Sequence, residues 1–512
     1  MIARPVAFKN RQSRSGSTAD LALPEVRRIV ETFERRGIAY CYWKSRRRLP
    51  RVLAGEGDLD LLVSAGDWQR AIAAALDMEF KLCPSESDWA HPGILSLLSY
   101  SDGDGSLVHL HLHKHIAIGD ARVKNYVIPL DKSVFEHSVL DATSGVRLLD
   151  PESEAVLLAV RAALEIGGLD PLTARYRTAK RREFALDQRA LGGRLDRSSL
   201  LDRAEVLLGS DLAKSVTEAM LADTPIADRE DLTRRIRRRL DCHRTYNAFE
   251  ALARSYWRAC NDVAGWASRE LIHFPRLFRR RAPGGGCIIA ILGVDGSGKS
   301  TSVTHLLNWL QPKMDVMPIY FGTGDGRPSM ILWPFKLLLP FASRLLGRRP
   351  WRASFDQSGG TPKPAGFLFS AMLTVWAIAV AIEKRHKLRS ASRAARRGLI
   401  VIADRFPQDQ VPDFNDGPLL SRFTAIPKWL RRFESNSYAL SRRLAPDLVI
   451  KLIARPDTIA RREPGLHSSN IPGRIADLLR LDFPRSRVVC IDGQQQLPDM
   501  IRAIQQEVWR QI

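Results

Sequence analysis

Cysteine is sparse in this chain: six in 512 residues, Cys41, Cys83, Cys242, Cys260, Cys287 and Cys490, with no C-x-x-C pair among them. That spacing excludes a thiolate zinc module and a disulfide framework, and it fits a reducing cytoplasm. Acidic residues are also short, 56 Asp and Glu against 78 Lys and Arg, for a formal charge of +22. A surface of that sign favours anionic partners. Aromatic residues make up 8% of the chain and are not interleaved with the basic clusters Arg46 to Arg48, Arg234 to Arg239 and Arg276 to Arg281. With no nucleic-acid module signature either, no specific nucleic-acid partner is expected. The opening MIARPVAFKNRQSRSGSTAD lacks the apolar h-region of a secretory signal and reads as a disordered tail over 1–20.

One uncharged run approaches the length of a spanning helix, Ala365 to Ile382, with the basic KRHKLR just beyond it. Three readings stand for it: a transmembrane helix, peripheral membrane contact helped by the basic flank, or a helix buried inside a domain.

What the chain does contain is the segment GVDGSGKS, Gly293 to Ser300, which fills the pattern G-x-x-x-x-G-K-[ST]. An apolar run, CIIAIL, precedes it. A stretch with Val303, Leu306, Leu307 and Leu310 at helical spacing follows. Gly293, Gly296 and Gly298 let backbone N–H groups, with those of Asp295, Ser297 and Thr301 beside them, close around phosphates at a helix N-terminus. Lys299 is then placed to neutralise the β- and γ-phosphates of ATP, and Ser300 to hold Mg²⁺.

The chain is too long for one core. The stretch Ala282 to Gly286 reads as a linker opening a domain over 287–512. There, five apolar runs alternate with helix-like stretches: CIIAILG, VMPIYFG, GLIVIAD, DLVIKLI and RVVCID. Such alternation predicts an α/β fold, a doubly wound parallel sheet. The third run ends in Asp404, at the edge where open sheets bind ligands, placed to orient Mg²⁺. Arg405 follows with a guanidinium fork suited to a second phosphate.

From Cys287 to Trp509 the chain resembles thymidylate kinases and their nucleoside-monophosphate kinase relatives, through GVDGSGKST, IVIADRF, APDLVIKLIARPDTIARR and the closing VVCIDGQQQLPDMIRAIQQEV. The resemblance implies a P-loop kinase fold, ATP with Mg²⁺, a small phosphorylated acceptor, and a homodimer, the frequent state of such kinases. It implies that Arg405 binds the acceptor phosphate, that Phe406 packs near the acceptor, and that Asp295 contacts the acceptor sugar. It also gives Arg461 and Arg462 as lid arginines acting in catalysis beside Lys299, and turns Ala365 to Ile382 into a soluble core helix. The segment DRFPQDQVPDFNDGPLL departs from the family's base-reading residues, and an apolar insert spans Ile331 to Pro364. In this the chain resembles thymidylate-kinase-like proteins of bacterial surface-polysaccharide gene clusters.

The N-terminal half carries a second signal at Tyr40 to Val63, YCYWKSRRRLPRVLAGEGDLDLLV. Asp58 and Asp60, two apart on a strand, face the same way and can share divalent cations. The pattern is similar to the nucleotidyltransferase superfamily over Leu21 to Ile166, an α+β domain, with Lys44 and Ser45 at the turn that such domains build from small residues. The resemblance implies a third carboxylate on a later strand, but the best candidate reads LVHLHLHKH. His109, His111 and His113 there line one face, either as a metal-binding cluster or as the polar face of a half-exposed edge strand. The basic stretch 167–281 reads as helical, a connecting region or a cap on the 21–166 domain. Three functions compete: a kinase, a nucleotidyltransferase working through Asp58 and Asp60, and a non-catalytic ATP-binding regulator of surface-polysaccharide synthesis.

Overall fold

The computed structural model describes residues 22–85, 91, 93–120, 123–166, 174–270, 280–322, 367–411, 417–420, 426–463 and 471–512. The expected tail over 1–20 and the insert from Ile331 to Pro364 lie outside them. The chain divides into two units, Met1–Ala264 and Gly265–Ile512.

In the first unit the strands are β1 (Tyr40–Tyr42), β2 (Asp58–Val63), β3 (Lys81–Leu82), β4 (Ile94–Tyr100), β5 (Leu107–His113), β6 (Ile116–Ile118), β7 (Tyr126–Ile128), β8 (Val139–Leu140) and β9 (Arg147–Leu148). Seven of them form one mixed sheet in the order β3-β4-β5-β2-β1-β9-β8. Alternation along the strands gives this sheet two apolar faces. Tyr40, Tyr42, Leu59, Leu61, Val63, Leu110 and Leu112 share a core with the helices Pro24–Arg35 and Trp68–Asp77. Cys41, Trp43 and Leu62 point the other way, into a core completed by the helices Pro151–Arg161, Ala174–Leu191, Arg197–Leu208, Ser210–Leu221 and Glu230–Arg239. The described helices of the basic stretch as far as Arg239 therefore belong to this unit, because without them the second sheet face would leave its apolar side chains in water. The division of the chain falls inside the helix Ala248–Glu270, ahead of the expected linker at 282–286.

All five apolar runs of the second unit form strands: β10 (Cys287–Gly293), β11 (Val316–Tyr320), β12 (Ile400–Asp404), β13 (Leu448–Ile453) and β14 (Arg487–Asp492). They make an all-parallel sheet in the order β11-β12-β10-β13-β14. Strand β10 is buried throughout, as a central strand covered on both faces must be. Ile288, Ala290 and Leu292 pack with Val401, Ala403 and Val449 against Leu388, Ala391 and Ala394 of the helix Phe367–Arg396. That helix takes in most of the uncharged run from Ala365 to Ile382. Among the described residues no helix is long and apolar enough to cross a membrane.

Candidate functional site

The segment Gly293 to Ser300 sits at the carboxyl end of β10 and leads into the helix Lys299–Leu310. Its glycines are sterically required. A Cβ on Gly293 would come within 2.3 Å of Ser297 Oγ and 3.1 Å of the Leu452 carbonyl oxygen, and Gly296 and Gly298 hold φ of 85° and 98°. The Ser297 N–H donates to the Val294 carbonyl at 3.0 Å, closing a turn that leaves further loop N–H groups to a ligand.

Lys299 folds over this loop, its Nζ donating to Val294 O at 2.9 Å and to Asp295 Oδ1 at 3.0 Å. Arg405 Nη2 reaches the same Asp295 oxygen at 2.8 Å. Burial works against ionisation of Asp295, but the Lys299 and Arg405 charges outweigh it and hold the carboxyl below its usual range. Burial also pulls the Lys299 ammonium below the usual lysine range in spite of Asp295. Arg405 stands at φ 67°, a left-handed backbone uncommon for a residue with a side chain, fixed by its N–H donating to Ile291 O at 3.1 Å.

Parallel pairing of β10 with β12 sets Ile291 opposite Asp404 and brings the end of β12 beside the loop. Ser300 Oγ donates to Asp404 Oδ2 at 3.0 Å. The other carboxylate oxygen, Oδ1, is buried with no hydrogen-bond partner among the described residues. An unpaired buried carboxylate oxygen next to a serine hydroxyl suits a hard divalent cation such as Mg²⁺. Around these groups lies a cavity of about 880 Å³, lined by the loop, Thr301, Asp404, Arg405 and Arg462. Arg462 Nη1 is anchored by Gly493 O at 3.3 Å.

Two expected residues fall elsewhere. Phe406 is fully buried between Phe321 and Phe483, ring centroids 5.5 and 6.4 Å away, so it supports the sheet and does not line the cavity. The left-handed turn at Arg405 sends the two neighbouring side chains to different places. Arg461 is exposed and absent from the cavity wall, which its neighbour Arg462 reaches. Sequence reading missed Tyr320, Glu463 and Gln495 on that wall. Tyr320 was within reach, since it ends the second apolar run at the same carboxyl edge as Asp404.

In the first unit, parallel pairing of β2 with β5 sets Asp58 opposite His109 and Asp60 opposite His111. Strand β5 is not an edge: it lies between β2 and β4. The alternating pattern disclosed a face but could not disclose neighbours. His109 Nδ1 lies 2.7 Å from Asp58 Oδ1, while His111 Nδ1 and His113 Nε2 lie 3.3 and 2.9 Å from Asp60 Oδ1. Burial alone would raise Asp60, yet Lys44, His111 and His113 bring it well below the usual carboxylate range. Burial lowers His113 to about 3 and Lys44 to about 7. The Lys44 ammonium stands 3.6 Å from the centre of the Trp43 ring. Ser45 is buried at the start of the turn Arg46–Arg48, and its hydroxyl has no partner among the described residues. Histidines occupy the alternate positions of β5, so the third carboxylate expected there is absent from that strand.

No protein-family model matches the chain. It is 29% identical over 224 residues to the uncharacterized ATP-binding protein YghS of Escherichia coli (strain K12), covering 42% of this chain and 90% of that protein. It is likewise similar to the uncharacterized ATP-binding protein YghR of the same strain, 26% identical over 225 residues, with 43% and 86% covered.

Proposed function

We propose that the Gly265–Ile512 unit binds ATP with Mg²⁺ and transfers a phosphoryl group to a small phosphorylated acceptor of the nucleoside-monophosphate type. The observation that carries this reading is the convergence of Lys299, Arg405 and the Ser300–Asp404 pair on one cavity whose floor is a glycine loop at a helix N-terminus. The names of the two bacterial relatives, both ATP-binding proteins, support the first half of it.

Each residue has a task in this scheme. Loop N–H groups and Lys299 take the nucleotide phosphates, exchanging contacts now made within the loop for contacts to anionic oxygens. Ser300 and Asp404 hold the metal ion, which when bound supplies positive charge against the phosphate oxygens. Arg405 offers its fork to the acceptor phosphate, and Asp295 keeps Lys299 and Arg405 aligned until ligands compete for them. Arg462, on the rim, adds charge where the transferred group's oxygens become more negative. Such transfer needs positioning and neutralisation more than a strong base.

The test is ADP formation from Mg·ATP by the purified protein across nucleoside monophosphates, sugar phosphates and water. Stimulation by one acceptor class, reduced about 10²- to 10³-fold by Lys299→Ala and also lost in Arg405→Ala, is the expected result. ATP that binds tightly without any acceptor raising turnover would instead indicate a nucleotide-responsive regulator.

A further inference from the structure

The polar cluster on the sheet of the first unit is expensive for a fold to keep. Asp58, Asp60, His109, His111 and His113 lie on the same sheet face as Leu62 and Trp43, where apolar side chains would serve packing better. His109 and His113 are 1% and 0% exposed, whereas Asp58 is 39% exposed, so these two imidazoles are sealed and the cluster reaches solvent through the Asp58 carboxylate. A costly polar group built into inner strands with an open mouth points to binding rather than stability.

The distances define what would bind. Asp60 Oδ1 lies 3.3 Å from His111 Nδ1 and 2.9 Å from His113 Nε2, and one donor atom from each of these residues falls within 4.8 Å of the others. Ligands about 2.1 Å from a tetrahedral cation stand about 3.4 Å apart, so these atoms already have nearly the spacing of a coordination shell. Asp58 Oδ2, 4.0 Å from His111 Nδ1, is the neighbouring oxygen on the open side. Two imidazoles among four donors change the preferred ion. A hard cation such as Mg²⁺ selects oxygen donors and water, while imidazole with carboxylate suits zinc and its transition-metal neighbours.

We propose that the Met1–Ala264 unit holds one divalent transition-metal ion between Asp60, His111 and His113, with Asp58 as the fourth donor at the solvent-facing side. The strands supply the rigidity: β2 and β5 pair in register across all four ligand positions, so the donors are fixed by main-chain hydrogen bonding and not by loop placement. Burial of His113 keeps bulk water from that imidazole, and the exposed Asp58 carboxylate gives the ion an entry path. All four ligands belong to the Met1–Ala264 unit.

The probe is Co²⁺ alone, titrated into the full-length, untagged protein after chelator treatment, followed by visible absorption and by metal analysis after gel filtration. One Co²⁺ per chain is expected, with ligand-field bands of a nitrogen and oxygen site, displaced by equimolar Zn²⁺ but not by equimolar Mg²⁺. His111→Ala and Asp60→Asn are each expected to weaken binding tenfold or more. Lys299→Ala should leave it unchanged, which separates this proposal from the kinase reading. Asp60→Asn preserves the size of its side chain and is the milder of the two, and circular dichroism of each variant shows whether a loss reflects unfolding. Absence of a bound ion, displacement by equimolar Mg²⁺, or affinity unchanged in a folded His111→Ala would overturn the proposal. So would a sulfur charge-transfer band, which would assign the metal to the exposed Cys242, Cys260 or Cys490.

Discussion

Arg405 combines two roles that substitution can separate. Its guanidinium reaches Asp295 in the cavity, while its backbone occupies a left-handed conformation that costs a residue with a Cβ about 1 kcal/mol or more. Arg405→Ala removes the first and keeps the second, whereas Arg405→Gly removes both. Both variants should lose acceptor-stimulated turnover, yet the glycine variant should melt above the alanine variant by several degrees in a thermal unfolding comparison. Glu34 allows a test of pH dependence away from any chemistry. Arg147 donates to both of its carboxylate oxygens, at 3.1 and 2.9 Å, and holds the carboxyl below its ordinary value of 4.5. The stabilisation is present above that value and is lost as pH falls through the depressed folded-state value. Denaturant midpoints of Glu34→Gln should lie below those of the parent at neutral pH and meet them in acid; a constant gap across that window would refute the pairing as its source. At this scale the sequence disclosed Lys299, Ser300 and Asp404, whose motif and strand-end positions have a mechanical reason. It did not disclose that Phe406 turns into the core beside Phe321 and Phe483, because a left-handed turn cannot be seen in a list of side chains.

Among elements, the inner apolar runs were legible because parallel strands covered on both faces must be continuously apolar, as β10 is, whereas β14 at the sheet edge is mostly exposed. The edge-strand alternative for β5 failed for the complementary reason: alternation reports which residues share a face, and only pairing decides whether the strand lies inside or at the margin. The approach to β10 carries a steric test. Gly286 lies against the turn that follows the long helix, and a Cβ there would stand 2.2 Å from the Ala395 carbonyl oxygen and 2.5 Å from that of Leu399. Neither backbone oxygen can yield without disturbing the helix end or the entry into β12. Gly286→Ala should therefore destabilise the second unit by about 1–3 kcal/mol while leaving the residues of the cavity unchanged. A denaturant titration with the slope held constant measures it, and a midpoint within error of the parent would show the contact to be relaxed at no cost.

For the molecule as a whole, the division into two units predicts separate thermal signatures for the two proposed ligands. A ligand that binds only the native state raises stability by about 2.7 kcal/mol at a hundred times its Kd. In calorimetry, Mg·ATP should move the transition of Gly265–Ile512 alone, and Co²⁺ that of Met1–Ala264 alone; a single transition moved by both would show that the two units unfold together. The helical cap of the first unit was only partly legible, since Ala-, Leu- and Arg-rich helices such as Ala174–Leu191 show their apolar side chains without showing which sheet they cover. Strand order has a further consequence. Strand β10 pairs on one side with Ile400–Asp404 and on the other with Leu448–Ile453, both far downstream of it. During synthesis the glycine loop thus leaves the ribosome long before the strands that hold it, and its isoleucine-rich lead remains an unpaired edge for chaperones to guard. A chain interrupted before Leu448 would carry the complete GVDGSGKS motif on a half-built sheet, recognisable to a reader of sequences but without the architecture that makes it a site.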